Sequence, residues 1–446
     1  MIKPNVTNPS SPQAIGRSTP RLMPRRIITM TCVATLAFLV LGVAGKVIEN
    51  TTRTKTDQAA TSGGATLPAK PSETVYLVKW LDPFNPEVGG GIQVVDPNTG
   101  GILKTIDTGS VPDIAISPDG QRLYLAAIEY ESGGKAVWND YLTAFDMKTW
   151  KTLWRTEIES PPDTNGRATT RGSGPSALTP SPDGSRLFIK KQAGWDSWFT
   201  VTDTATGKVL AESSRLSSCV GADPKFSPDG NWLYLPCLGI NEIRFMNANT
   251  LQVEATLTIP GAPFAEGPGV PPYTPIDGVP GLMADSALSP DGRWMYVITD
   301  EPRLALVNIE QRNIERWIEL GGQGYPTVGY GTSALSADGN RLFIGVRTKG
   351  KDSRVDEIRI FDTQSWKPIG RLNLDGLPLD GDLSQLSMSR VSNRLMLLLE
   401  ARSIEKNSLQ LHTSFATLDP DRLDAPSPLK LDLSDNDMLV RIVVAP

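Results

Sequence analysis

The chain has 446 residues, 39% of them hydrophobic and 21% charged, with 36 prolines, 40 glycines, three cysteines, one histidine and a net charge of -5. A single histidine, His412, excludes nearly every histidine-dependent catalytic triad and most histidine-rich metal sites, and no CxxCH run exists for covalent haem. Residues 1–45 carry five basic and no acidic side chains, so the remainder is near -10, which makes it a poor partner for nucleic acid.

From the N-terminus, residues 1–26 form a basic tail containing Arg17, Arg21, Arg25 and Arg26. Residues 27–45 follow as an uncharged apolar run, long enough as a helix to span a thin bilayer core. With the positive charge on its N-terminal side, the segment predicts a single-pass cell-membrane protein whose remaining chain is extracytoplasmic. The long polar lead favours a retained signal anchor over a signal peptide cut after Val43-Ala44-Gly45, and no cysteine follows the apolar run to invite lipid attachment. Residues 46–72, rich in Thr, Ala, Gly, Ser and Pro, read as a flexible linker.

From residue 73 to 446 the chain repeats itself. Ser-Pro-Asp-Gly stands at Ser117, Ser181, Ser227 and Ser289, becomes Ser-Ala-Asp-Gly at Ser336 and leaves a remnant at Ser389, at spacings of 64, 46, 62, 47 and 53 residues. Such periods denote repeats built from one small sheet each. Each motif reads as a turn between two strands: Pro sets φ, Asp bonds nearby backbone, and Gly takes the positive φ of a tight reversal. The run that follows, RLYLAA or RWMYVIT for example, is apolar, β-branched and aromatic, as a buried strand is. A second hairpin accompanies each, as in IQVVDPNTGGILKTID from Ile92.

Seven outer hairpins but six inner ones can be counted. The lone strands TVYLVKW from Thr74 and MLVRIVVAP from Met438 supply the missing inner pair, which predicts an all-β, seven-bladed β-propeller closed by its own termini and preceded by one transmembrane helix.

Residues 92–126 resemble the YVTN-type β-propeller repeat, with V-x-D-x-x-T-G, T-I-x-T-G-x-x-P and S-P-D-G in order. The family is WD40/YVTN repeat-like and similar to the methylamine dehydrogenase heavy chain. The resemblance implies a fold and leaves the activity open, because related propellers include dehydrogenase subunits, lactonases and binding modules.

Cys219 and Cys237 flank the hairpin centred between Pro228 and Asp229, and export supplies an oxidising compartment; their numbers sum to within one of the register expected of that hairpin, which predicts a disulfide. Cys32 lies in the apolar run.

Tight turns fall on one face of the ring and long connections on the other, the longest a 27-residue segment from Pro260. The long connections hold Trp138, Trp195, Trp198, Tyr273, Tyr325 and Tyr330 with the carboxylates Glu266 and Asp277. Aromatic area with a few charges suits a protein, peptide or carbohydrate partner.

The expected function is therefore binding or scaffolding, with no catalytic residue named and no cofactor required. The alternative is an enzyme: a lactonase-like metal-dependent hydrolase, or the non-cofactor subunit of a periplasmic amine dehydrogenase. The hydrolase would need a metal, for which Asp113, Asp223 and Asp285 are candidates because each shortly precedes an inner strand; polar strand ends are the competing explanation.

Overall fold

The computed structural model describes residues 74–79 and 91–444, apart from the connections 132–136, 159–172, 261–282, 327–331, 349–354, 375–381 and 430–438 and several shorter breaks. The N-terminal tail, apolar run and linker lie outside the described residues. Among those described, no helix is long and apolar enough to cross a membrane.

Seven antiparallel sheets form the seven blades of a propeller. In strand order, blade 1 is Leu439–Val444, Val75–Lys79, Gly91–Val95 and Ile102–Asp107. Blade 2 is Ser110–Ile116, Arg122–Glu131, Val137–Asp146 and Thr152–Ile158; blade 3 is Ser173–Pro180, Arg186–Ala193, Asp196–Asp203 and Val209–Glu212. Blade 4 is Lys225–Phe226, Trp232–Cys237, Glu242–Asn247 and Val253–Thr258; blade 5 is Met283–Leu288, Trp294–Thr299, Arg303–Asn308 and Asn313–Glu319. In blade 6 two short pieces, Gly324–Pro326 and Ser333–Leu335, share the innermost place beside Arg341–Thr348, Glu357–Asp362 and Pro368–Asn373. Blade 7 is Asp382–Met388, Leu395–Glu405, Ser408–Leu418 and Ser427–Leu429.

The strand from the C-terminus pairs with the first strand of the N-terminal part, Val75 opposite Val444 and Tyr76 opposite Val443. Middle strands are buried on both faces, whereas the fourth strands of blades 1 and 3 are exposed along nearly their whole length. Apolar clusters accordingly lie between adjacent blades, for example Phe188 and Phe199 of blade 3 against Leu233, Leu235 and Met246 of blade 4.

The repeated turn has a physical logic visible in every intact copy. Ser117 donates its hydroxyl to Asp119 Oδ1 at 2.5 Å and accepts the Arg122 N–H at 2.9 Å; Gly120, at φ 68°, donates to the Ser117 carbonyl at 2.8 Å. Gly339 shows why the position also matters between blades: it sits at φ 74°, and a Cβ there would come within 2.6 Å of Pro290 Cδ in the preceding turn. Glycine therefore allows both the reversal and the stacking of one turn on the next.

In most repeats the residue five after the motif serine pins neighbouring blades together. Arg122 donates to the Thr204 carbonyl (3.1 Å), Arg186 to that of Ala248 (3.0 Å), and Arg341 to Pro420 and Asp421. Where the residue is Trp232, the next blade supplies the cation instead, with Arg312 lying 5.0 Å from the ring.

Hydrogen bonds from the serine hydroxyl and turn N–H groups hold the carboxyls of Asp119, Asp183, Asp229, Asp291 and Asp338 below the usual carboxylate range. A lowered folded pKa contributes stability above the unfolded value that disappears as pH falls through the folded one. Urea unfolding should thus show little change in stability between pH 8 and 5 and a loss beginning near pH ~4. A curve that stays flat to pH ~2.5 would exclude this role for the turns.

Candidate functional site

Two of the buried ionisable groups, Asp113 and Asp285, stand on innermost strands. Four residues before each motif serine stand Asp113, Ala177, Asp223, Asp285, Thr332 and Gln385. The strand ladder shifts register at Asp113, Ala177, Asp285 and Gln385, so the repeat builds a bulge at this point. A bulge re-aims its side chain, and the aspartates use this to reach the next blade. Asp113, fully buried, accepts the N–H of Ile114 at 2.8 Å and that of Leu178, in blade 3, at 2.6 Å. Asp285 accepts the N–H of Ser286 at 2.8 Å and, from blade 6, both the N–H (2.9 Å) and the hydroxyl (2.7 Å) of Ser333.

These two metal candidates are therefore inter-blade ties. Burial pushes the Asp285 carboxyl above the usual range, with the Ser333 hydroxyl and the charge of Lys225 pulling it part of the way back. Asp223 is partly buried and faces the charge of Lys190. No three His, Cys, Asp or Glu side chains among the described residues are grouped to hold a metal ion. Asp113 and Asp285 stand on the innermost strands of blades 2 and 5, and Asp223 just before that of blade 4.

Two buried lysines in blade 3 escaped the sequence reading. Lys190 is 3% exposed and Lys191 fully buried; burial takes the Lys190 ammonium down to about 8 against the partial support of Asp223. Lys191 reaches Glu212 at 3.7 Å. The signal was present in the repeat: the positions nine and ten after the motif serine are Lys190 and Lys191 here, but Ala126 and Ala127, Pro236 and Cys237, Ile298 and Thr299, Gly345 and Val346, or Leu398 and Leu399 elsewhere. A charge where five other repeats have none is a site-specific feature.

The aromatic residues expected on the long connections are only partly described. Trp195, Tyr273, Tyr330, Glu266 and Asp277 lie outside the described residues. Trp198 requires correction: it is 2% exposed within the strand Asp196–Asp203, with the Arg215 guanidinium 5.3 Å from its ring, and is part of the blade rather than of a binding loop. Trp138 also lies in a strand, opposite Tyr130, because the second and third strands of blade 2 continue outward as a long hairpin. Aromatic and β-branched residues favour such an extension. Tyr325 occupies the short inner strand Gly324–Pro326, opposite Arg347. His412 lies mid-strand in Ser408–Leu418 and pairs with Ala401.

Cys219 and Cys237 form the expected disulfide, with Cα atoms 4.3 Å apart. The register that suggested it differs: Lys225 pairs with Tyr234 and Phe226 with Leu233, so Cys219 lies outside the hairpin ladder. It is placed by the incoming connection, where Ser197 and Leu216 exchange backbone hydrogen bonds and the Ser197 hydroxyl donates to the Cys219 carbonyl.

No protein-family model matches the chain. It is 31% identical over 85 residues to the methylamine dehydrogenase heavy chain of Methylophilus methylotrophus, a match covering 19% of this chain and only 20% of that relative. Among solved structures, a Bacteroides fragilis protein assigned as a 6-phosphogluconolactonase superposes with a TM-score of 0.54 at 15% identity, over 86% of this chain and all of its own. The β-propeller domain of Cps50 (Swd1) from Myceliophteria thermophila gives a TM-score of 0.47 at 11% identity, over 73% of this chain and 90% of its own. With its repeat and its seven blades, the chain is a seven-bladed β-propeller, similar over a short stretch to the methylamine dehydrogenase heavy chain.

Proposed function

We propose that the protein is a membrane-tethered, extracytoplasmic propeller that binds a protein, peptide or carbohydrate through the face carrying its long connections. The observation that carries this reading is the asymmetry of the connections. On one face every intact motif turn is short and internally hydrogen-bonded, as at Ser117–Gly120; on the other the chain spends up to 24 residues between strands, from Thr258 to Met283. The inner aspartates a hydrolase would use are engaged in holding blades together, which favours binding over lactone hydrolysis. Tethering rests on the basic tail and apolar run of residues 1–45.

We also infer that blade 1 closes the ring. Support comes from the pairing of Leu439–Val444 with Val75–Lys79, from the cluster of Val75, Leu77 and Val95 with Met396, Leu398 and Phe415, and from Arg394 donating to Asn98 at 3.0 Å. Arg394 stands five residues after Ser389, the same pin that joins blades 2 and 3.

The full chain in nanodiscs, applied to glycan and peptide arrays, tests the binding reading. Replacing residues 261–282 by a short Gly-Ser link should abolish the signal while leaving the melting temperature nearly unchanged. Array silence combined with calcium- or zinc-dependent lactone hydrolysis would overturn it in favour of the hydrolase.

A further inference from the structure

The tripeptide Glu-Ile-Arg opens the third strand of two blades, as Glu242–Arg244 in blade 4 and Glu357–Arg359 in blade 6. In both, the arginine Nε donates to the glutamate, at 3.1 Å and 2.6 Å respectively. Beyond that bond the two diverge. Arg359 also donates through Nη1 to the Leu320 carbonyl at 3.1 Å, tying its strand to the connection that leaves blade 5. The Nη atoms of Arg244 donate to no described residue, although its side chain is only 16% exposed.

The reason is a groove. The connection leaving blade 3 stands away from Arg244, and the gap of about 370 Å³ is lined by Ser214, Arg215, Ser217, Glu242, Arg244 and Thr256 among others. That connection is held apart from Arg244: Leu216 and Ser197 exchange backbone hydrogen bonds of 2.7 and 3.1 Å, and Cys219 is bonded to Cys237. On this wall Arg215 is oriented by Trp198 beneath it and by Asp196, 4.0 Å away.

Arg244 and Arg215 both line the gap, Arg215 held by Trp198 and Asp196, and Arg244 engaging Glu242 through its Nε edge. A guanidinium largely withdrawn from water, lining a gap and with Nη groups that donate to no described residue, matches an oxyanion. The rest of the lining is mostly hydroxyl and amide, with Leu216 and Val253 the apolar members, so the ligand body it suits is itself hydroxylated.

We propose that this groove between blades 3 and 4 binds an acidic saccharide unit, its carboxylate taken by Arg244 and Arg215 and its hydroxyls by Ser214, Ser217 and Thr256. The site is on the propeller's perimeter and stands independently of the long-connection reading.

Titration calorimetry of the full chain with trigalacturonate, with neutral maltotriose and sodium sulfate as controls, tests it. Trigalacturonate should bind and maltotriose should not; raising salt should weaken binding. Arg244→Gln should lower the affinity at least about tenfold with little change in melting temperature, since it breaks no inter-blade bond. Arg359→Gln should do the reverse, keeping the affinity and lowering the melting temperature. No binding, binding unaffected by Arg244→Gln, or binding of sulfate alone would each overturn the proposal. So would an Arg244→Gln variant that melts as early as Arg359→Gln.

Discussion

Removing the Cys219–Cys237 bond is expected to destabilise the propeller by about 3 kcal/mol, the effect of releasing a cross-link between residues 18 apart in sequence. The bond also joins the connection from blade 3 to the second strand of blade 4, inside an apolar cluster that includes Phe188, Phe199, Leu233 and Met246. Its loss therefore frees a packed segment at the seam between two blades. Denaturant unfolding of a Cys219→Ala/Cys237→Ala variant, compared with the oxidised parent, measures the difference. A change below about 0.5 kcal/mol would mean that the Ser197–Leu216 bridge alone positions the connection and that the cross-link is energetically idle.

An effect of similar size is expected at Asp285. Truncation to Ala leaves the N–H of Ser286 and the N–H and hydroxyl of Ser333 without their acceptor in a site 6% exposed, a loss of about 3 kcal/mol. Asn keeps one acceptor oxygen but presents an NH₂ group to a donor, so Asp285→Asn should cost less than Ala and more than an exposed substitution.

The pH dependence separates Asp285 from the turn aspartates. Its folded pKa is raised, so its contribution to stability is present below the unfolded pKa and lost as pH rises through the folded one. Between these values stability rises as pH falls, above the range in which the turns lose theirs, and Asp285→Asn should remove that rise. Urea titrations from pH ~7 to ~2.5 report both quantities. If Asp285→Ala instead abolished a metal-dependent activity while leaving stability intact, the carboxylate would belong to a reactive centre and not to an inter-blade tie.

Much of the architecture is legible in the sequence because a propeller repeats one local solution. Ser-Pro-Asp-Gly encodes a turn through short-range chemistry, serine hydroxyl to aspartate and glycine at positive φ, and the residues needed are adjacent in the chain. Six turns, the outer hairpins and the unpaired terminal strands follow from such local rules. The disulfide was legible as well, though by a register that the fold does not use: only two residues of the inner strand pair in blade 4, and the incoming connection places Cys219 instead.

The candidate site was less legible, because its determinants act between blades. That Asp113 reaches Leu178, 65 residues on, depends on a bulge that turns its side chain toward the next sheet. Trp198 reads as an exposed loop aromatic until the strand around it is seen to continue past its position into the buried part of the blade. The different fates of Arg244 and Arg359, in identical tripeptides, are decided by whether the preceding connection lies close enough to accept a hydrogen bond.

By itself the sequence determined the repeat, the turn chemistry, the blade count, the pairing of the terminal strands and the cysteine pair, all consequences of periodicity and nearest-neighbour geometry. Only the tertiary structure decided which buried charges tie blades together and where a gap is left beside Arg244. Those outcomes depend on distances between segments tens of residues apart, and side-chain reach across a blade interface is set by packing, which no local pattern specifies.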